Sequence, residues 1–143
     1  MLFRSSGSVT MTRSSNRRKN AVRELEQLSQ ELPGLVDVIV VEGLRDIQSL
    51  RSLGYTGTIE ALNRTGVNDF DLADDLVSNY SRILLLLDFD EEGLRMNLHF
   101  NQILERMGAK VEYGLRREVG RLMAAIGAYA IEDLDNIRDE MEE

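Results

Sequence analysis

Residues 36–50, VDVIVVEGLRDIQSL, run from an almost unbroken apolar stretch through a glycine into a helical spacing. Val36 to Val41 is too short for a helix and too apolar for a strand with one wet face, so it reads as a strand buried on both sides. Leu44, Ile47, Leu50 and Leu53 then recur along one side of a helix that Gly54 closes. The same succession returns in residues 83–96, ILLLLDFDEEGLRM. Ile83 to Leu87 is a second fully buried strand, and Glu91 to Met107 a long helix with Leu94, Leu98, Leu104 and Met107 as its inner stripe. Between these two units lie a weaker strand at Gly57 to Leu62 and a helix at Asp69 to Tyr80. Beyond them come a fourth strand at Ala109 to Tyr113 and helices at Arg116 to Ile126 and Ile131 to Met141. Upstream, Val22, Leu25, Leu28 and Leu32 mark an amphipathic helix from Asn20 that Pro33-Gly34 ends.

Strands alternating with helices predict crossover units, and hence an α/β fold with an open, mainly parallel four-stranded sheet carrying helices on both faces. With 143 residues, 43% of them hydrophobic, the chain can bury one sizeable core. The expected organisation is a basic disordered tail over 1–19, an N-terminal helix over 20–34, the α/β domain over 35–130 and an acidic C-terminal helix over 131–143. Residues 1–20 resemble a transit peptide in their Arg and Ser content but lack the apolar segment of a secretory signal, and Met11 is a second candidate start. The longest fully apolar run, Ile83 to Leu87, falls far short of the roughly 20 residues a bilayer requires. The expectation is a soluble, cytoplasmic protein. Without cysteine, a disulfide framework, Cys-ligated zinc, iron–sulfur clusters and cysteine catalysis are all excluded.

Charge is distributed unevenly. Of 17 basic residues six precede the first acid, Glu24, which leaves 11 against 25 acidic residues in the rest of the chain. An acidic body opposes nucleic-acid binding by bulk electrostatics, since phosphate contacts rely on Lys and Arg displacing counterions. A phosphate partner would need metal ions or a local Arg cluster.

In open α/β sheets ligands bind beyond the carboxyl ends of the strands, where neighbouring strands send their crossovers to opposite faces. The first buried strand ends in Glu42-Gly43, with Asp46 in the first turn of the next helix; the second ends in Asp88-Phe89-Asp90-Glu91-Glu92-Gly93. If the two strands are neighbours, Glu42, Asp46, Asp88, Asp90 and Glu92 converge on one rim. Like charges so close are costly unless a cation lies between them, and Mg²⁺, a hard ion that also bridges to phosphate oxygens, meets that need. Each acid taken singly is equally well an ordinary helix cap or dipole partner. Gly43 and Gly93 fit a site where backbone or phosphate must approach closely.

The ordered pair VIVVEGLRDIQSL and ILLLLDFDEEGLRM resembles the Toprim domain shared by bacterial-type primases, type IA and type II topoisomerases and some nucleases, over about Val36 to Tyr113. Glu42-Gly43-x-x-Asp46 is similar to the primase form of the first motif, and Asp88-x-Asp90-x-Glu92-Gly93 to the topoisomerase form of the second. The resemblance is to the compact, stand-alone, primase-like members. It implies that Glu42 is a general acid/base or metal-associated carboxylate, that Asp88 and Asp90 hold Mg²⁺ (or Mn²⁺), and that Asp46 matches the primase acidic position. The implied chemistry is phosphoryl transfer on RNA or DNA, nuclease-type hydrolysis first. Primase-like nucleotidyl transfer is the alternative, or a non-catalytic nucleic-acid or assembly module with a possible protein partner. The chain carries no zinc ribbon and no nucleophilic-tyrosine domain of the larger family members.

Arg45, Arg64, Arg116 and Arg117 lie in segments expected near the rim, where an Arg can either hold substrate phosphate or pair with the acidic excess. Arg45 and Arg64, with Gly43, Glu92 and Gly93, make up the expected substrate-binding set. Asn63-Arg64-Thr65-Gly66 can offer backbone N–H groups to phosphate or form a plain turn. His99, the only histidine, falls inside the long helix and away from the strand ends. A haloacid-dehalogenase Asp-x-Asp would follow the first strand rather than the third, and a response receiver needs paired acids after its first strand.

Overall fold

The structure is a computed structural model that describes residues 2–63 and 67–142, with side chains described over 13–63 and 67–139. Four strands, β1 (Val38–Val41), β2 (Ile59–Ala61), β3 (Arg82–Leu85) and β4 (Lys110–Val111), form one sheet in the order β2-β1-β3-β4. Every pairing is parallel, with Ile39 opposite Ile59, Val40 opposite Leu85 and Ile83 opposite Val111. The helices are α1 (Leu2–Glu31), α2 (Leu44–Ser52), α3 (Asp69–Asn79), α4 (Glu91–Arg106), α5 (Tyr113–Ile126) and α6 (Leu134–Glu142). Short 3-10 turns occupy Leu32–Gly34 and Ile131–Asp133. The α/β class and the open parallel sheet are those expected, and no described helix is long and apolar enough to cross a membrane.

Alternation along the two central strands divides the core. Ile39, Val41, Leu84 and Leu86 point to one face, where α1, α2, α5 and the start of α6 cover them through Leu25, Leu50, Leu122 and Leu134. Val38, Val40, Ile83 and Leu85 point to the other, covered by α3 and α4 through Leu76, Phe100 and Leu104. All of β1 is sealed from solvent, so its unbroken apolar run is what two covered faces demand. Because α2 follows β1 onto the first face and α4 follows β3 onto the second, the neighbours β1 and β3 diverge at their carboxyl ends. That divergence is the switch point where a crevice opens.

Two expectations are corrected. The first helix begins well before Asn20: residues assigned to a disordered tail continue α1, and Arg18 Nε donates to the carbonyl of Ile126 at 3.2 Å, tying that turn to the end of α5. The segment contains no proline, so a helix nucleated by the packed turns downstream can propagate through it. In α4 the inner stripe is Gly93, Asn97, Phe100, Asn101 and Leu104, whereas Leu94 and Leu98 are 51% and 58% exposed. Leucines at 94 and 98 suggested a stripe rotated by about a quarter turn at 100° per residue, because two buried asparagines carry no hydrophobic signal.

Candidate functional site at the carboxyl ends of the central strands

Glu42 and Asp88 leave the carboxyl ends of β1 and β3, which the parallel pairing of Val40 with Leu85 and a bond from Leu86 N–H to Val40 O (2.8 Å) hold side by side. Their carboxyl groups lie close enough for Glu42 to act on Asp88 both through its charge and as a hydrogen-bond partner. Burial pushes the Asp88 carboxyl up to about 7; the charge and hydrogen bond of Glu42 and the charges of Asp46 and Asp90 add to it.

The backbone around Asp88 is fixed from several directions. Arg116, in the first turn of α5 and only 9% exposed, donates through Nη1 to the carbonyls of Leu85 and Leu87 (both 3.0 Å) and through Nη2 to that of Asp88 (3.3 Å). Its guanidinium stacks on the Phe89 ring, 4.1 Å from the ring centre. Burial pushes Arg116 down to about 10, opposed by the charges of Asp88 and Glu42. Phe89 N–H donates to the Tyr129 carbonyl at 2.6 Å, and Asp90 caps α4 by accepting the Gly93 N–H at 2.7 Å. Gly93 packs so tightly under this turn that a Cβ there would lie 2.6 Å from the Asp88 carbonyl carbon and 2.8 Å from its Cβ.

Asp46 is buried and faces inward. One oxygen accepts the Gly43 N–H at 3.0 Å and the other the Glu132 N–H at 3.1 Å, so it joins the start of α2 to the C-terminal segment, and burial raises its pKa. Its charge, rather than direct contact, acts on the pair. Gly43 has extended backbone that any residue can adopt, and a Cβ there would meet Asn63 Nδ2 at 3.3 Å. Arg45 and Glu92 are exposed on the first turns of α2 and α4. Arg64, Thr65 and Gly66 lie outside the described residues.

The structure thus brings Glu42 and Asp88 into contact and sets Asp46 and Asp90 around them as helix anchors. Among the described residues no three His, Asp or Glu side chains are grouped so as to hold a metal ion. The donor chemistry nonetheless suits one: the Glu42–Asp88 pair offers hard oxygens and a proton that a dication would displace. Arg116 is neither the phosphate ligand nor the surface ion pair that its position in sequence suggested, but a buried clamp on the Asp88 loop. Its signal was present in the sequence, since Arg116, Val119, Met123 and Ile126 share the inward stripe of α5. A cleft of about 850 Å³ between α3 and α4, lined by Phe70, His99 and Met107 among others, includes neither Glu42 nor Asp88. His99 stands there, exposed, with Nε2 3.3 Å from Asp69 Oδ2.

No family model matches the chain. Among curated proteins it is 33% identical to a UPF0292 protein of Pyrococcus furiosus, across 82% of this chain and 86% of that one. A UPF0292 protein of Thermococcus sibiricus is 36% identical over 78% and 86% of the two chains, and one of Methanocaldococcus jannaschii 32% over 68% and 72%. Among solved structures, a protein from Aquifex aeolicus superposes with a TM-score of 0.57 at 24% identity, across 80% of this chain and 95% of that one, and so shares the fold. Identity at this level, sustained over most of both chains, makes the protein a member of the UPF0292 family.

Proposed function

We propose that this protein is a Toprim-type, Mg²⁺-dependent enzyme that hydrolyses nucleic-acid phosphodiesters. The observation that carries the reading is the contact between Glu42 and Asp88 at the switch point of the sheet, on the two motifs that resemble Toprim. Glu42 and Asp88 are the residues that would hold the metal, with the Asp90 oxygen that does not cap α4 beside them. When bound, Mg²⁺ supplies neutralisation of charge on the phosphodiester oxygens and alignment of the attacking and leaving oxygens. Glu42, through a carboxylate oxygen, takes the proton from a water or sugar hydroxyl and returns it to the leaving oxygen. Asp46 anchors α2 beneath Glu42, and Arg116 fixes the main chain that presents Asp88.

The test is incubation of the protein with end-labelled single- and double-stranded RNA and DNA in Mg²⁺ or Mn²⁺, beside Glu42→Gln and Asp88→Asn. Cleavage by the wild type that both variants lose is the expected result. Strand extension seen only with nucleoside triphosphates would replace hydrolysis by nucleotidyl transfer. Metal-dependent binding without product would leave a non-catalytic module.

A further inference from the structure

Five of the 17 basic residues stand together on one helix. Between residues 13 and 23, α1 carries Arg13, Arg17, Arg18, Lys19 and Arg23 with no acid among them. Helical spacing puts Arg13, Asn16, Arg17, Asn20 and Glu24 on one stripe, beside the buried stripe of Ala21, Val22 and Leu25 that packs on the body. The first stripe forms one wall of a groove of about 400 Å³ whose floor is Leu122 and Ala125 of α5 and whose far wall carries Arg121. Arg121 is paired with Glu24 (2.9 Å) and Glu118 (2.7 Å), but among the described residues no carboxylate pairs with Arg13, Arg17, Lys19 or Arg23. Holding so many like charges together on a helix is destabilising unless an anion relieves it. The bond from Arg18 to Ile126 O holds this turn against α5, so the cations are ordered in advance.

We infer that the groove between α1 and α5 is a docking surface for the phosphodiester backbone of a nucleic-acid strand. Arg13 and Arg17 contact phosphates, and the Asn16 and Asn20 amides supply neutral donors beside them. Toward the N-terminal end of α5 the same groove turns acidic, with Glu24, Glu31 and Glu118 along it, which confines the cationic stretch to the turns around Arg13 and Arg17. The surface deepens the reading of the site as one for nucleic-acid phosphodiesters and rests on it for its purpose, while its binding is independent of metal.

Fluorescence anisotropy of a labelled 20-nucleotide RNA and its DNA counterpart, single-stranded and duplex, measured in EDTA across a salt series, tests it. Wild type is expected to bind at low salt with an affinity that falls linearly in log–log form. Arg13→Gln/Arg17→Gln should bind at least about tenfold more weakly at 50 mM salt, with the slope reduced by roughly 1.4, two single-strand contacts at ~0.7 each. Arg95→Gln/Arg106→Gln, which removes the same charge from the exposed side of α4, should match wild type. Circular dichroism of each variant must show unchanged helix content, as Gln keeps helix propensity close to that of Arg. Equal affinity and slope for wild type and the α1 double variant, equal loss in the α4 control, or no binding by wild type in EDTA would each overturn the proposal. Glu42→Gln and Asp88→Asn should retain binding in EDTA. Their loss of cleavage beside an inert α1 variant would sink the groove alone, and an α1 effect without any cleavage would sink the catalytic reading alone.

Discussion

Arg116 reaches from the first turn of α5 to the main-chain carbonyl of Asp88 at 3.3 Å, and with the same guanidinium satisfies two further carbonyls of the chain leading to it. The end of β3 has no strand partner for these oxygens, so the buried fork takes the place of a ladder. It also puts a positive charge beside the acids, and this opposes the cost of gathering them.

Replacing Arg116 by Lys keeps the charge and loses the fork. Two or more buried carbonyls would then lack donors, so Arg116→Lys is expected to lose about 2–4 kcal/mol of stability. Urea denaturation should show a lower midpoint at unchanged slope; a variant within about 0.5 kcal/mol of wild type, the range of ordinary surface changes, would contradict the clamp.

Gly93→Ala sets two effects against each other. Alanine favours a helix interior by about 1 kcal/mol, but its methyl would strike the Asp88 main chain, where overpacking costs roughly 1–3 kcal/mol. Destabilisation is expected to win, with the Asp88 loop displaced. Gly114→Ala in the first turn of α5 meets nothing within 4 Å and should be neutral or stabilising by up to about 1 kcal/mol. Thermal melts of the two proteins side by side give the comparison, and equal shifts would refute the packing role of Gly93.

The raised Asp88 carboxyl predicts how stability depends on pH. Asp88 titrates at about 7 in the folded protein against 3.8 for an unperturbed carboxyl. Between those values the folded state keeps a proton that the unfolded chain has released, so stability falls as pH rises from about 4 to 7 and levels off above. Asp88→Asn removes that slope. After discounting for solvent screening it should be more stable than wild type at pH 8 by about 1 kcal/mol, with the two similar near pH 4. A variant less stable than wild type at pH 8 would show that the pair is not strained.

Asn97 and Asn101 are buried on α4 with side-chain carbonyl oxygens that lack partners. Asn101→Leu relieves one of them and fills the same space, so its cost should be near zero or its effect stabilising by about 1 kcal/mol. A loss above roughly 2 kcal/mol in chemical denaturation would mean that the amide does form essential bonds.

The sheet and the place of its switch point were legible because Val38–Val41 and Ile83–Leu87 can only be strands covered on both faces, and Glu42 and Asp88 follow them directly. The neighbourhood of β1 and β3 was a condition in the sequence and is a fact of the fold. What stayed hidden depended on side-chain direction. Asp46 and Asp90 looked equivalent to Asp88 as acids after strands, yet each turns back to hold backbone N–H groups, as capping residues of that type do. The helical course of residues before Asn20 was hidden too, because no apolar stripe marks it and, among the described residues, it is tied to the body through the Arg18 bond across 108 residues.

Calorimetric titration of Mg²⁺ and Mn²⁺ into the protein at pH 8, beside Glu42→Gln and Asp88→Asn, addresses the pair most directly. A binding heat in wild type that weakens at least about tenfold in both variants, and fades in wild type as pH drops below about 7 and Asp88 keeps its proton, is the predicted result. Identical isotherms for all three proteins, or no heat from wild type with either ion, would contradict a dication held between the two strands.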